Sequence, residues 1–87
     1  MVNVLLVGNG VHANKRILPS LKNLKVVNSI TILDRNAEVE KQVSETIKIL
    51  PYKEIKKSES FYDLGIVATP PYNHLQSYEL IVNKCQT

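Results

Sequence analysis

The feature that most constrains this chain is a junction: Val2 to Val7 is an almost unbroken apolar run, and the Gly8-Asn9-Gly10 turn ends it abruptly. A short run of β-branched and aliphatic residues without polar alternation suits a strand buried on both faces, and such strands belong to parallel sheets. Parallel neighbours need crossover connections, so the next segment should be a helix. Ile17, Leu18, Leu21 and Leu24 do fall on one helical face, while Lys15, Arg16, Lys22 and Asn23 fall largely elsewhere. The spacing predicts an amphipathic helix over the first strand, bent at Pro19, whose ring removes one hydrogen bond and crowds the preceding turn.

The pattern then repeats. Val26 to Leu33 reads as a second strand ending at Asp34-Arg35-Asn36, and Ala37 to about Thr46 reads as a second helix, with Val39 and Val43 four apart. Ile47 to Tyr52 suits either an extension of that helix or an edge strand closed by Pro51, and the alternation of Ile47-Lys48-Ile49 favours the strand. Gly65 to Thr69 reads as a buried strand stopped by Pro70-Pro71. Beyond it Asn73 is placed to cap a third helix, with Gln76 three residues on and Leu75, Tyr78 and Val82 facing inward.

Composition narrows the function classes. The 87 residues allow one domain, and 44% hydrophobic with 22% charged residues is ordinary for a globular chain. No run approaches the roughly 18 apolar residues of a membrane span, and Met1 leads directly into strand-like sequence, so no membrane partner and a cytoplasmic location are expected. The single cysteine, Cys85, reads as a reduced thiol without an internal partner. The net charge of +3 comes largely from Lys48, Lys53, Lys56 and Lys57. That stretch reads either as a phosphate-attracting patch or as a solvated surface, and because Glu54 and Glu59 interrupt it and no aromatic residues alternate with it, nucleic acid is not an expected partner.

Gly8-Asn9-Gly10-Val11-His12-Ala13 fits the G-x-G-x-x-G/A fingerprint at the end of a strand and the start of a helix. Gly8 permits the tight turn, Gly10 leaves the backbone open to a pyrophosphate, and Ala13 is small enough for close helix-to-strand packing. The helix start then offers N–H groups to phosphate. Two glycines in any strand-to-helix turn would also serve packing alone. Asp34 adds a second feature, because it lies about 20 residues beyond Ala13 at the end of the second strand, where an acid accepts hydrogen bonds from an adenosine ribose. It would equally cap the following helix. Arg35 beside it would accommodate a 2′-phosphate while the carboxylate repels one, so NAD is favoured and NADP is the alternative. Neither His12 nor His74 has neighbours that suggest a metal site or a nucleophilic triad, and no catalytic residue is identified.

These features together predict an α/β fold: a partial Rossmann, doubly wound parallel sheet of roughly four strands with helices on both faces and right-handed crossovers. With Ala68-Thr69-Pro70-Pro71-Tyr72-Asn73-His74 added, the chain resembles the N-terminal NAD(P)-binding domain of the Gfo/Idh/MocA oxidoreductases. In that family a strand ends in Ala-Thr-Pro, and a histidine follows after three residues, as Thr69, Pro70 and His74 do here. Leu18-Pro19 is similar to a pair common in the family's first helix. The resemblance implies that Gly8, Gly10 and Ala13, with Asn9, Val11 and His12 in the same turn, would hold the pyrophosphate. It assigns Asp34 and Arg35 to the ribose, and Thr69, Pro70 and His74 to the nicotinamide side.

It covers essentially the whole chain but departs from the family at the end. The Glu-Lys-Pro motif with its catalytic lysine and the C-terminal substrate domain do not occur within these residues, so an incomplete domain without turnover of its own is expected. Three functions follow for testing. One is the dinucleotide-binding part of an oxidoreductase acting on a sugar, polyol or related hydroxyl or carbonyl substrate. Another is a stand-alone, non-catalytic nucleotide-binding module that self-associates through an exposed sheet edge. The third is a binder of S-adenosylmethionine, whose ribose an acid after the second strand would also read.

Overall fold

The apolar runs become the strands of a single sheet. The computed structural model describes residues 2–8, 10, 13–57, 61–68, 79 and 81–85. Within them β1 (Val2–Val7), β2 (Val27–Asp34), β3 (Lys41–Gln42), β4 (Ile47–Pro51) and β5 (Leu64–Val67) lie in the order β3-β4-β2-β1-β5. β1 pairs in parallel with β2 on one side and with β5 on the other, and β4 continues the parallel set beyond β2. Only the two-residue β3 runs antiparallel, against β4. The sheet is therefore mixed and mostly parallel, one strand larger than the roughly four expected.

The twofold alternation of a strand sends neighbouring side chains to opposite faces. Val4, Leu6, Ile30, Ile32 and Ile47 form the core on one face, closed by Leu21, Ile17 and Leu18. Leu5, Val7, Leu33 and Leu50 form the core on the other, closed by Ile55 and Ile81. Helical elements thus cover both faces. The first begins as a π-helical segment, Ala13–Ile17, and continues without a break as α1 (Leu18–Lys22), so Pro19 lies inside one helical run, just past the change from π to α. The wider π turn before it takes up the irregularity that the ring and its missing N–H impose. The Ser20 hydroxyl donates to the Arg16 carbonyl at 3.0 Å just there. Leu24, expected on the buried stripe, is exposed, because the chain turns away after Asn23 as its N–H bonds the Pro19 carbonyl.

Three sequence expectations need correction. Residues 37–46 do not form a helix: β3 and its flanking turns occupy the stretch, with Val39 and Val43 73% and 54% exposed. Three apolar residues in ten, two of them β-branched, bury too little to hold a helix whose stability must come from packing. The Asp34 carboxylate also accepts from the Asn36 N–H at 2.9 Å and commits the chain to a turn. A helix appears instead at α2 (Tyr52–Lys57), directly after Pro51, with Glu54 in its first turn and Ile55 fully buried. Past β5, Glu79 and Ile81 are helical, but Ile81 faces the core and Val82 is exposed, reversing the expected inward residue. Leu75 and Tyr78, with the cap Asn73, lie outside the described residues.

Gly65 explains how closely that last segment approaches the sheet. A methyl group at Gly65 would stand 2.8 Å from Cys85 Sγ and 2.9 Å from Ile81 Cδ1. The contact is continued by backbone pairing, since the Tyr62 N–H donates to the Lys84 carbonyl at 2.7 Å and Tyr62 bridges Cys85 in parallel. Gly65→Ala should therefore cost about 1–3 kcal/mol in urea denaturation. Removing Ile81 Cδ1 by Ile81→Val should make the glycine substitution measurably cheaper; equal costs in both backgrounds would contradict the packing.

Burial in the same contact raises the Cys85 thiol above its ordinary range. The folded state then favours the protonated form, so this contribution to stability is present below the unfolded-state value of about 8.5 and is lost as pH rises through the higher folded value. Iodoacetamide should accordingly alkylate Cys85 more slowly in the folded chain than in urea at a matched, mildly alkaline pH.

Candidate functional site

The parallel strands follow one another in the chain as β1, β2, β4 and β5, yet lie as β4-β2-β1-β5. The chain moves outward from β1 on one side, then returns to the opposite side of β1. Where connections leave neighbouring strands in opposite directions, the carboxyl ends of those strands open a crevice, and ligands of open α/β sheets bind there. In this fold that place is the end of β1 beside β5.

Gly8 stands at it. Its φ is 116°, a backbone conformation that side chains disfavour, and its N–H donates to the Leu33 carbonyl of β2 at 2.9 Å. On the other side the Ala68 N–H donates to the Val7 carbonyl at 2.8 Å. The turn after β1 is thus fastened to both neighbouring strands. Gly10 is exposed, and a methyl group built on it meets nothing within 4 Å. Its carbonyl accepts from the Asn14 N–H at 3.0 Å and from Asn14 Nδ2 at 2.9 Å, which latches the turn to the first helical residues beginning at Ala13. Asn14 was not singled out by the motif, which ends one residue earlier.

Asp34 closes β2 at the same end of the sheet, one residue beyond the carbonyl that Gly8 holds. Alternation puts it on the α1 face with Ile30 and Ile32. It is half-buried, with Oδ1 accepting from the Asn36 N–H and its carbonyl accepting from the Ala37 N–H. Asp34 therefore caps a turn, not the helix expected there. Arg35 follows as an exposed residue of that turn. Asn9, Val11, His12, Thr69, Pro70 and His74 lie outside the described residues. So the structure brings Gly8, Gly10, Asp34 and Arg35 to one sheet end, with Ala13 opening the helical segment beside them. Two adjacent strand ends thus present open backbone and a carboxylate, an arrangement suited to binding.

A second polar region lies elsewhere. A cavity of about 330 Å³ opens at the amino ends of the strands, on the face covered by α2, with Asn3, Ser29, Thr31 and Lys48 on its sheet side. Thr31, 3% exposed, is the buried polar residue of the described core. Among the described residues no buried side-chain nitrogen or oxygen lacks a hydrogen-bond partner, so Thr31 carries no desolvation penalty, and it lines the cavity. Among the described residues no group of three or more His, Cys, Asp or Glu side chains could hold a metal ion, and no helix is long and apolar enough to cross a membrane.

Compared with known proteins, the chain stands apart: no family model, no curated protein and no solved structure matches it.

The two glycines should separate in a stability measurement. Gly8→Ala forces a side chain into a positive-φ conformation and should cost about 1–3 kcal/mol. Gly10→Ala meets open space and should leave the denaturation midpoint within about 0.5 kcal/mol of the parent. Equal losses would mean that Gly10 is a packing residue rather than an opening in the surface.

Proposed function

We propose that this chain is the dinucleotide-binding portion of a Gfo/Idh/MocA-like oxidoreductase, built on a Rossmann-like half-sheet and selecting NAD. The observation that carries the reading is the strand order, which reverses at β1 with a positive-φ glycine at the point of reversal and an acid closing the adjacent strand. Strand order and the two residue positions are independent features, and a glycine turn used for packing alone would not require the third. The open space over Gly10 fits a pyrophosphate drawn against the backbone.

In this reading Gly8 shapes the turn, Gly10 admits the pyrophosphate, and Ala13 begins the helical segment behind it. Asp34 accepts hydrogen bonds from the adenosine ribose. A carboxylate offers roughly four lone-pair sites, so holding Asn36 and gripping a diol are compatible. Arg35 flanks the ribose, and Thr69, Pro70 and His74 would serve the nicotinamide side. The nicotinamide supplies hydride exchange when bound, and the protein's part is orientation. The substrate of the whole protein, a sugar, polyol or related hydroxyl or carbonyl compound, belongs to the same proposal.

Calorimetry with NADH, NADPH and S-adenosylmethionine tests it. The chain should bind NADH more tightly than NADPH and bind S-adenosylmethionine least. Asp34→Ala should weaken NADH by about tenfold or more, the value of a hydrogen bond to a charged group. Asp34→Asn keeps an acceptor for Asn36 and should lose NADH affinity without losing the fold. Unchanged NADH binding in both variants would remove Asp34 from the site.

A further inference from the structure

The cavity at the amino ends of the strands lies at the opposite end of the sheet from the glycine turn, and the reading above does not use it. Parallel strands buried on both faces are normally apolar throughout. Here the carboxyl half of the α2 face obeys that rule, with Leu5, Val7, Leu33 and Leu50 under Ile55. The amino half breaks it. Asn3 of β1, Ser29 and Thr31 of β2 and Lys48 of β4 occupy alternating positions on that same face. The cause is a mismatch of lengths: the six residues of α2 span about 9 Å, whereas the eight of β2 span about 26 Å. Among the described residues α2 covers only the carboxyl half of that face, and the amino half, which is polar, meets Gln42, Glu45, Phe61 and Tyr62 around the cavity.

Three groups there are placed as a ligand would need them. Thr31 and Lys48 are direct register partners on neighbouring strands, and both line the cavity. The Lys48 ammonium meets the exposed Glu40 carboxylate at 3.6 Å. Glu45, in the loop joining β3 to β4, also lines the cavity, and no ion pair engages it among the described residues. That loop is held firmly, since the Val43 and Ser44 N–H groups and Gln42 Nε2 all donate to the Ile47 carbonyl. Phe61, 72% exposed, lies at the rim and offers an apolar surface.

From this arrangement we infer that the cavity binds a small zwitterion of the free amino-acid type. Its carboxylate would meet Lys48 and Thr31, and its ammonium would meet Glu45. The side chain would lie toward Phe61. The volume is at the lower end of small-molecule pockets, which suits such a ligand. A phosphate would be repelled by Glu45, and a neutral polyol would leave Glu45 without a counterpart.

The test is a titration of the ¹⁵N-labelled full chain, followed by amide chemical shifts, with L-leucine and L-serine as probes. Acetate, methylammonium and glycerol supply the separate halves and the uncharged alternative. The amino acids should shift Thr31, Glu45 and Lys48 and leave Gly8 and Gly10 unmoved, at concentrations where the three controls do nothing. Lys48→Gln and Glu45→Gln should each weaken binding about tenfold while keeping the dispersion of the folded spectrum. Thr31→Val, which keeps the shape and removes the hydroxyl, should weaken it as well. Acetate or glycerol binding as well as L-leucine would overturn the proposal, as would the absence of any shift with either amino acid at millimolar concentration.

Discussion

The whole structure depends on β1 being paired on both edges and buried on both faces at once. Its hydrogen bonds hold β2 and β5 in register, and its alternating side chains supply the centre of both cores. From Val4 to Val7 a strand so placed leaves no edge to solvent and no face for polar residues, which explains why Val4, Leu5, Leu6 and Val7 are all aliphatic and essentially inaccessible. The remaining elements can be understood as ways of returning the chain to that strand's direction. α1 does so over one face, and the segment from α2 to Tyr62 does so on the side of the other.

A strand with that many constraints also fixes what must happen where it ends. The chain has to leave a crowded sheet between two neighbours, and Gly8 can do so because it adopts a φ that other residues avoid. The amide of Gly8 remains tied to β2, and the carbonyl of Val7 remains tied to Ala68, so the turn cannot swing. Rigidity from the sheet and openness at Gly10 then coexist within three residues. That combination is what a backbone-reading anion site requires, and the dinucleotide proposal rests on it.

Much of this was legible in the sequence because the central strands are continuous apolar runs, which report burial directly. β1 was read to the residue, β2 to within one at each end, and the preference for a strand at Ile47 held despite the competing helical reading. Gly8 and Asp34 were found from spacing alone and do stand at one end of the sheet. What escaped is where periodicity carries little weight. Val39 and Val43 mimic a helical stripe, yet a spacing of four says nothing about whether a surface exists to cover it. α2 was missed because Ile55 is its one fully buried aliphatic residue, set among lysines, and only the entry through Pro51 and Glu54 hinted at it. The polar lining of the cavity was missed for a related reason. Ser29, Thr31 and Lys48 each look like ordinary strand residues, and only their register shows that they share one face.

The exchange of a helix for a hairpin at residues 37–46 has consequences at both ends of the sheet. On the α1 side it withholds a covering layer, so Ile49 packs against its core while remaining only partly buried. On the other it directs the loop from Val43 to Thr46 back to the start of β4, where Gln42 Nε2 and two amides converge on the Ile47 carbonyl. A helix in that stretch would satisfy its own amides internally and would have no reason to bring Glu45 to the amino end of β4. The weak helical pattern and the charged wall of the cavity are therefore one physical fact. Residues too polar to bury a helical stripe were free to fold against the sheet's edge, and in doing so they built the side of a cavity that the short α2 had left open.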